Sequence, residues 1–213
     1  MSARWSTRTV DFVRGLAVSG RIADSVLMRI GAFFRELMLN NIAAANLAPS
    51  WLTRILLRWS GIRIPVDGGI RHRFFIHGRD LHIGPGTWIN VGCHFDCGAP
   101  IEIGAHCNIG PGVMILTSTH VPGDDKRRAG GAHCEGVVVG AGTWIGARAT
   151  ILPGVTIGRG CVIAAGAVVH RNTDPDGLYA GVPAVRVRDL RPSSDAGRLA
   201  SVEGLARGAS RPR

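Results

Sequence analysis

Aliphatic residues recur every six positions through the middle of the chain. Ile83, Ile89, Ile103, Ile109, Ile115, Val139, Ile145, Ile151, Ile157, Ile163 and Val169 hold this phase, apart from a slip of two residues between Ile89 and Ile103. Glycine follows the aliphatic at Gly84, Gly104, Gly110, Gly140, Gly146 and Gly158. A period of six is neither the 3.6 of a helix nor the 2.0 of an alternating strand. It predicts a parallel β-helix: each hexad gives one short strand and one corner, and the aliphatic points inward onto its equivalent one coil away. Glycines ease the crowded corners. Three hexads close a triangular coil, so residues 83–171 predict about four coils, above the roughly three repeats such stacks need. The two surplus residues should bulge from one wall near Asp96–Pro100.

The beat is interrupted once. From His120 to Gly136 the chain reads HVPGDDKRRAGGAHCEG, polar and Gly-rich, with no periodic apolar residue. Ile115 and Val139 remain in phase across it, so this segment, predicted as a loop, leaves the coil and returns in register. Long loops inside a regular solenoid usually carry function.

The first sixty residues follow a helical pattern instead. Leu27, Ile30, Phe34 and Leu37 recur at three- and four-residue steps beside Val26, Phe33 and Met38, with Asp24 as a candidate cap. A second short helix is predicted after Pro49, with Ser50 as its cap, Trp51, Leu52, Ile55, Leu56 and Trp59 as its apolar face, and Gly61 as its stop. These helices should pack on the main domain or on a neighbouring subunit. A basic amphipathic helix can also lie on a membrane surface, but core packing explains such faces more often. The resulting organisation is a helical segment 1–60, a β-helix domain 61–185 carrying the loop 120–136, and a basic tail 186–213 expected to be mobile.

Composition narrows the class. Apolar residues make up 46% of the 213 and charged residues 19%, which excludes a disordered chain. No apolar run approaches the ~18 residues of a membrane span. Asp11 and Arg14 break the stretch that should follow Arg4 and Arg8 in an export signal, so a soluble, cytoplasmic protein is expected. The net charge of +10 suggests nucleic acid, but its distribution argues against it. Residues 1–60 hold eight arginines against three acids, and residues 186–213 hold seven against three. Residues 61–185 hold ten basic groups against nine acidic ones, so the repeat core is close to neutral.

Several stretches together resemble a known family. They are Ile103-Gly104 through Thr117-Ser118-Thr119-His120, the interruption that follows, the run VVVGAGTWIGARATILPGVTIGRGCVIAAGAVV, and the closing Tyr179-Ala180-Gly181-Val182-Pro183-Ala184. They resemble the hexapeptide-repeat acyltransferases, the left-handed parallel β-helix family that includes galactoside, maltose and streptogramin acetyltransferases. The segment NNIAAANLAPSWLTRILLRWSGIRI is similar to the start of the branch that modifies cell-surface and secondary-metabolite sugars. The resemblance implies a homotrimer, with acetyl-CoA as co-substrate and the acceptor bound in clefts between adjacent β-helices. A triangular prism has flat sides that suit such closed packing.

The resemblance also implies roles for residues. His120 matches the family's general base. The chemistry needs one, because a hydroxyl is a weak nucleophile until its proton is taken, and an imidazole titrating near ~6.5 in water can accept it at neutral pH. A thioester is already activated, so direct attack needs no covalent enzyme intermediate. The structural alternative for His120 is a loop histidine bonded to a nearby carbonyl. Asn90, in Trp88-Ile89-Asn90, matches a position near the acceptor, where an amide can bond either the acceptor hydroxyl or the reacting centre; an asparagine ladder at a corner is the alternative. Trp88 would wall the acceptor or pack in the core. Asp96 falls about one position from the family's acceptor-side aspartate, and one residue in a strand reverses the face. Trp144, Gly146, Ala147, Ala165 and Gly166 match the pantetheine groove, where small residues allow close approach, although Trp144 could also be a stacked corner residue. Arg171 and Arg188 match positions that meet the coenzyme's phosphates. Val185 stands where a basic residue is usual, and Arg186 either compensates for it or is merely solvated.

The five cysteines contain no CxxC pair and are expected to be reduced and mostly buried. His72, His77 and His82 recur every five residues, out of step with the coil, so no metal is expected. The expected activity is acetyl transfer to a hydroxyl of a sugar or glycosylated small molecule. The alternatives are N-acetylation of an amino-sugar or antibiotic, and a scaffold without activity.

Overall fold

The structure of the protein is a computed structural model that describes residues 30–190. It is mainly β, a parallel β-helix of stacked triangular coils with three faces. Face A holds β3 (Leu81–Ile83), β6 (Ile101–Ile103), β11 (Val137–Val139) and β14 (Thr156–Ile157). Face B holds β1 (Gly69–Ile70), β4 (Trp88–Ile89), β7 (Asn108–Ile109), β12 (Trp144–Ile145), β15 (Val162–Ile163), β17 (Gly177–Ala180) and β18 (Val185–Asp189). Face C holds β2 (Phe75–Gly78), β5 (His94–Cys97), β8 (Met114–Leu116), β13 (Thr150–Ile151) and β16 (Val168–Val169). All neighbours pair in parallel except β17 and β18, which close the stack antiparallel.

The six-residue beat lies on the inner wall. Ile89, Ile109, Ile145 and Ile163 form one buried column on face B, and Phe95, Ile115, Ile151 and Val169 form another on face C. Three strands of face A bury two residues each, Leu81 with Ile83, Ile101 with Ile103, and Val137 with Val139, while β14 buries Ile157. The stack begins earlier than the beat suggested. Arg63 already bridges to His82, and β1 and β2 form a coil before Ile83, so face C counts five rungs. In that first coil the inner residues are Ile70 and Ile76, which do not share the later phase. The surplus pair lies at the corner after β5. There Trp88 pairs with Asn108, twenty residues on, whereas Trp144 pairs with Val162, eighteen on.

The glycines after the aliphatics answer to the spacing between coils more than to turn geometry. A Cβ on Gly104 would come within 2.6 Å of the Ala141 nitrogen in the next coil. Such close stacking lets Gly104 donate its backbone N–H to the Val139 carbonyl at 2.8 Å.

Helix Ser50–Trp59 forms where it was expected, but it packs differently. Pro49 precedes it in extended conformation with no side-chain cap, so Ser50 is a helical residue and not the cap. Thr53 and Leu57 are buried, whereas Trp51, Ile55 and Trp59 are 61%, 57% and 64% exposed. The reason is a polar anchor. Thr53 donates to the Ala43 carbonyl, and the Arg54 guanidinium reaches the Pro65 and Gly68 carbonyls, turning the tryptophans outward. Residues 30–37 are helical and run into a π-helical turn, Met38–Ala43. The Asp24 cap, Val26 and Leu27 lie outside the described residues, as does the tail beyond residue 190.

This segment covers the open edge of the first coil. Asn40 accepts from the Ile76 N–H at 2.9 Å and donates to the Ile76 carbonyl at 3.1 Å, which imitates a further strand. Buried Arg35 donates to the Gly78 carbonyl at 2.7 Å. Unpaired strand edges invite association, and these side chains blunt this one.

Cys93, Cys97, Cys107 and Cys161 are buried, Cys134 is exposed, and all five are free. Burial pushes the Cys93 thiol up to about 11 and the Cys97 thiol up to about 12. The four buried thiols should therefore stay unreactive towards a small thiol reagent at neutral pH until the protein unfolds, with Cys134 the accessible one. Gly104→Ala should destabilise the fold by about 1–3 kcal/mol through overpacking, measured by chemical denaturation.

Candidate active site

The interruption folds into an arm. β9 (Ser118–Pro122) and β10 (Ala129–Cys134) form an exposed antiparallel hairpin rising from the corner between faces C and A. It replaces the loop expected for 120–136. Backbone pairing between the two strands, with a bulge between Ala129 and Ala132, orders a stretch that lacks periodic apolar residues. The foot is tied down at several points. Asp96 Oδ2 accepts from the Ser118 N–H at 3.0 Å, Glu135 donates its N–H to the Thr117 carbonyl at 2.8 Å, and His133 Nε2 meets Glu135 Oε1 at 2.7 Å.

His120 lies on β9 opposite Ala132. Its Nδ1 is 3.0 Å from the Gly130 carbonyl on the facing strand. A carbonyl only accepts, so Nδ1 carries a proton and, in the neutral ring, Nε2 keeps its lone pair. The carbonyl contact foreseen as an alternative to function is the contact that leaves the opposite nitrogen basic.

Asp96 alternates with inward Phe95 and Cys97, so it faces outward. It holds the backbone at the root of the arm, two residues from His120. Its neighbour His94 also faces out and stacks on Phe75 with centroids 4.8 Å apart. Burial holds the His94 imidazole below its ordinary value, with His77 adding to the effect and Asp96 opposing it.

Asn90 lies at the corner between faces B and C. Its Oδ1 accepts from the Val91 N–H at 2.8 Å, and its register partner one coil on is Gly110, so no asparagine ladder forms there. Trp88 and Trp144 stand on the outer side of face B with exposed rings, neither in the core nor at a corner, and the Trp88 ring covers Gly69. Gly146, Ala147, Ala165 and Gly166 follow β12 and β15 at the same B–C corner as Asn90. For Gly146 coil stacking already requires glycine, since a Cβ would come within 2.5 Å of the Ala165 nitrogen. A cavity of about 440 Å³ opens along this ridge, bounded by Arg73, Gly92, Gly112, Ala147 and Arg148.

One chain does not bring all these groups together. The width of face C separates the B–C corner, with Asn90 and Ala147, from the C–A corner that carries the arm and His120. Arg171 is exposed on the turn after β16, and Arg188 is exposed on β18 opposite Leu178. Arg186 is not merely solvated. Its guanidinium bonds Asp189 Oδ1 at 2.6–2.7 Å, the Tyr179 hydroxyl at 3.1 Å and the Pro175 carbonyl at 3.1 Å. Sequence reasoning missed the Gly130 contact, the His133–Glu135 pair and the Arg73–Arg148 cavity. The hairpin register makes the first two, and corner stacking makes the third, so no local motif announces them. Among the described residues no three His, Cys, Asp or Glu side chains gather as a metal site, and no helix is long and apolar enough to cross a membrane.

The triangular parallel β-helix is the fold of solved acetyltransferases to which this chain is similar. Residues 136–171 match the family model for bacterial transferase hexapeptide (six repeats). The solved structure of a hexapeptide-repeat-containing acetyltransferase from Vibrio cholerae O1 biovar eltor, complexed with acetyl coenzyme A, is 31% identical. The match covers 79% of this chain and 90% of that one, with a TM-score of 0.69. A maltose O-acetyltransferase from Clostridium difficile 630 is 27% identical over 78% of this chain and 88% of its own, with a TM-score of 0.68. The galactoside O-acetyltransferase of Lactococcus lactis is 34% identical over 117 residues, 54% of this chain. That match spans 56% of the relative's length, little more than half. The chain belongs to the hexapeptide-repeat acyltransferase family.

Replacing Asp96 with Ala should release the root of the arm. A bond to a charged acceptor typically contributes about 1.5–3 kcal/mol, so amide exchange across 118–134 should speed up by roughly tenfold or more. Hydrogen-exchange mass spectrometry reads the change.

Proposed function

We propose that the protein is an acetyl-CoA-dependent O-acetyltransferase acting on a hydroxyl of a sugar or glycosylated small molecule. The observation that carries the reading is the Nδ1 contact of His120 with the Gly130 carbonyl, which leaves Nε2 free to take a proton. In this mechanism Nε2 accepts the acceptor hydroxyl's proton as the oxygen attacks the thioester carbonyl. The tetrahedral oxyanion is met by a donor, for which the Asn90 amide is the candidate. Collapse expels the coenzyme thiolate, which recovers the proton from the imidazolium. No covalent enzyme intermediate forms. Asp96 acts as a positioning residue through the arm.

Acetyl-CoA as donor is supported by the Vibrio cholerae relative crystallised with it. Oxygen as the acceptor atom is supported by the galactoside and maltose O-acetyltransferases among the relatives. Trp144, Gly146, Ala147, Ala165 and Gly166 would take the pantetheine arm, Arg171 and Arg188 the phosphates, and Trp88 the acceptor. The separation of Asn90 from His120 across face C favours a site completed between copies. We therefore propose a homotrimer in which the arm of one chain reaches the B–C corner of the next.

His120→Ala should lower turnover by roughly 10² or more, measured as thiol release from acetyl-CoA with a sugar panel, while the oligomer persists by light scattering. Near-wild-type turnover in that variant would sink the assignment.

A further inference from the structure

The cavity on the B–C corner holds two arginines that the acyl-transfer chemistry does not use. Both Arg73 and Arg148 line it. Among the described residues neither pairs with an acid: the ion pairs engage Arg35, Arg159 and Arg186, together with His77 and His133. Two unneutralised guanidiniums facing one concave space repel each other and favour an anion between them.

Their backbones single them out as well. Arg73 and Arg148 have φ of 60° and 56°, at corner positions where the other coils place Gly92, Gly112 and Gly166 at 75°, 68° and 70°. A side chain in this region is strained and persists where the surroundings or a function retain it. The A–B corner has two such residues with local partners. The His106 ring lies against Gly86, and Asp176 pairs with Arg159. At the B–C corner the glycine makes room for the arginine: a Cβ on Gly112 would sit 3.3 Å from Arg148 Cγ, so the stem runs over bare backbone along the cavity.

Position decides what the anion belongs to. Val91 and Gly92 carry the cavity up to Asn90, and Ala147 carries it to the proposed pantetheine groove. This is the reacting end of the site. The coenzyme's own phosphates belong in the proposed reading to Arg171 and Arg188, on the turn after β16 and on β18.

We propose that this cavity binds an anionic substituent of the acceptor, a carboxylate or phosphate clasped by Arg73 and Arg148, so that the enzyme selects acidic sugars. The inference rests on the acyl-transfer reading for its substrate, but the binding site can be tested without turnover. The full chain is titrated with glucose, glucuronate and glucose 1-phosphate in the absence of coenzyme, and thiol release is then followed with each. At low salt one or both charged sugars should bind at least about tenfold tighter than glucose, the better of the two identifying carboxylate or phosphate as the group. R73Q and R148Q should erase most of that preference by raising the acceptor KM. R148G should lose the preference yet raise Tm by about 2–4 °C, because it relieves the strained corner; a merely structural arginine would lower it. Equal binding of charged and neutral sugars, or a preference that survives both glutamine variants, would overturn the proposal. So would a rise in the acetyl-CoA KM at an unchanged acceptor preference, which assigns the arginines to the coenzyme. Failure of the acyl-transfer reading is distinguishable: it shows as no thiol release with any sugar, whatever the titrations report.

Discussion

Everything in this molecule depends on the close backbone contact between successive coils. Parallel ladders need their carbonyl and amide groups at hydrogen-bond distance along three faces at once, and the inner aliphatic columns draw the coils into that spacing. Where the chain passes directly over itself, even a methyl group does not fit, as at Gly104 and Gly146. The result is a rigid prism whose corners repeat at fixed height. Rigid, regular corners are what a site assembled from distant sequence positions requires.

The hairpin arm departs from this regularity at one place, and it carries His120. It has no core of its own and is held by backbone pairing, by Asp96 at Ser118 and by Glu135 at Thr117. Pairing sets the register, register sets Gly130 near the His120 ring, and that carbonyl fixes the tautomer. The tautomer of this ring thus follows from strand alignment and not from a neighbouring acid. Phases of six on either side of the arm return the chain to face A without disturbing the stack.

How much of this was legible beforehand depends on whether a feature is local or assembled. The hexad phase, the surplus pair after Asp96 and the outline of helix Ser50–Trp59 follow from side-chain periodicity, which a single sequence displays. The orientation of that helix does not, because buried Thr53 and the bonds of Arg54 to carbonyls outweigh the larger tryptophan stripe. The extra first coil is hidden in the sequence because Ile70 and Ile76 fall outside the later phase. Asp96 stood one position from its expected place, and only the alternation of β5 settled its outward direction. The candidates His120 and Asn90 were visible through motif, while the Arg73–Arg148 cavity joins positions 75 residues apart through corner stacking alone.

The central claim is that strand register leaves His120 with a protonated Nδ1 and a basic Nε2. Nitrogen-15 NMR of the histidine rings, with His120 assigned by its absence in a variant, reports the tautomer directly. The expected result is a neutral ring at alkaline pH with its proton on Nδ1. A proton resident on Nε2 instead would contradict it.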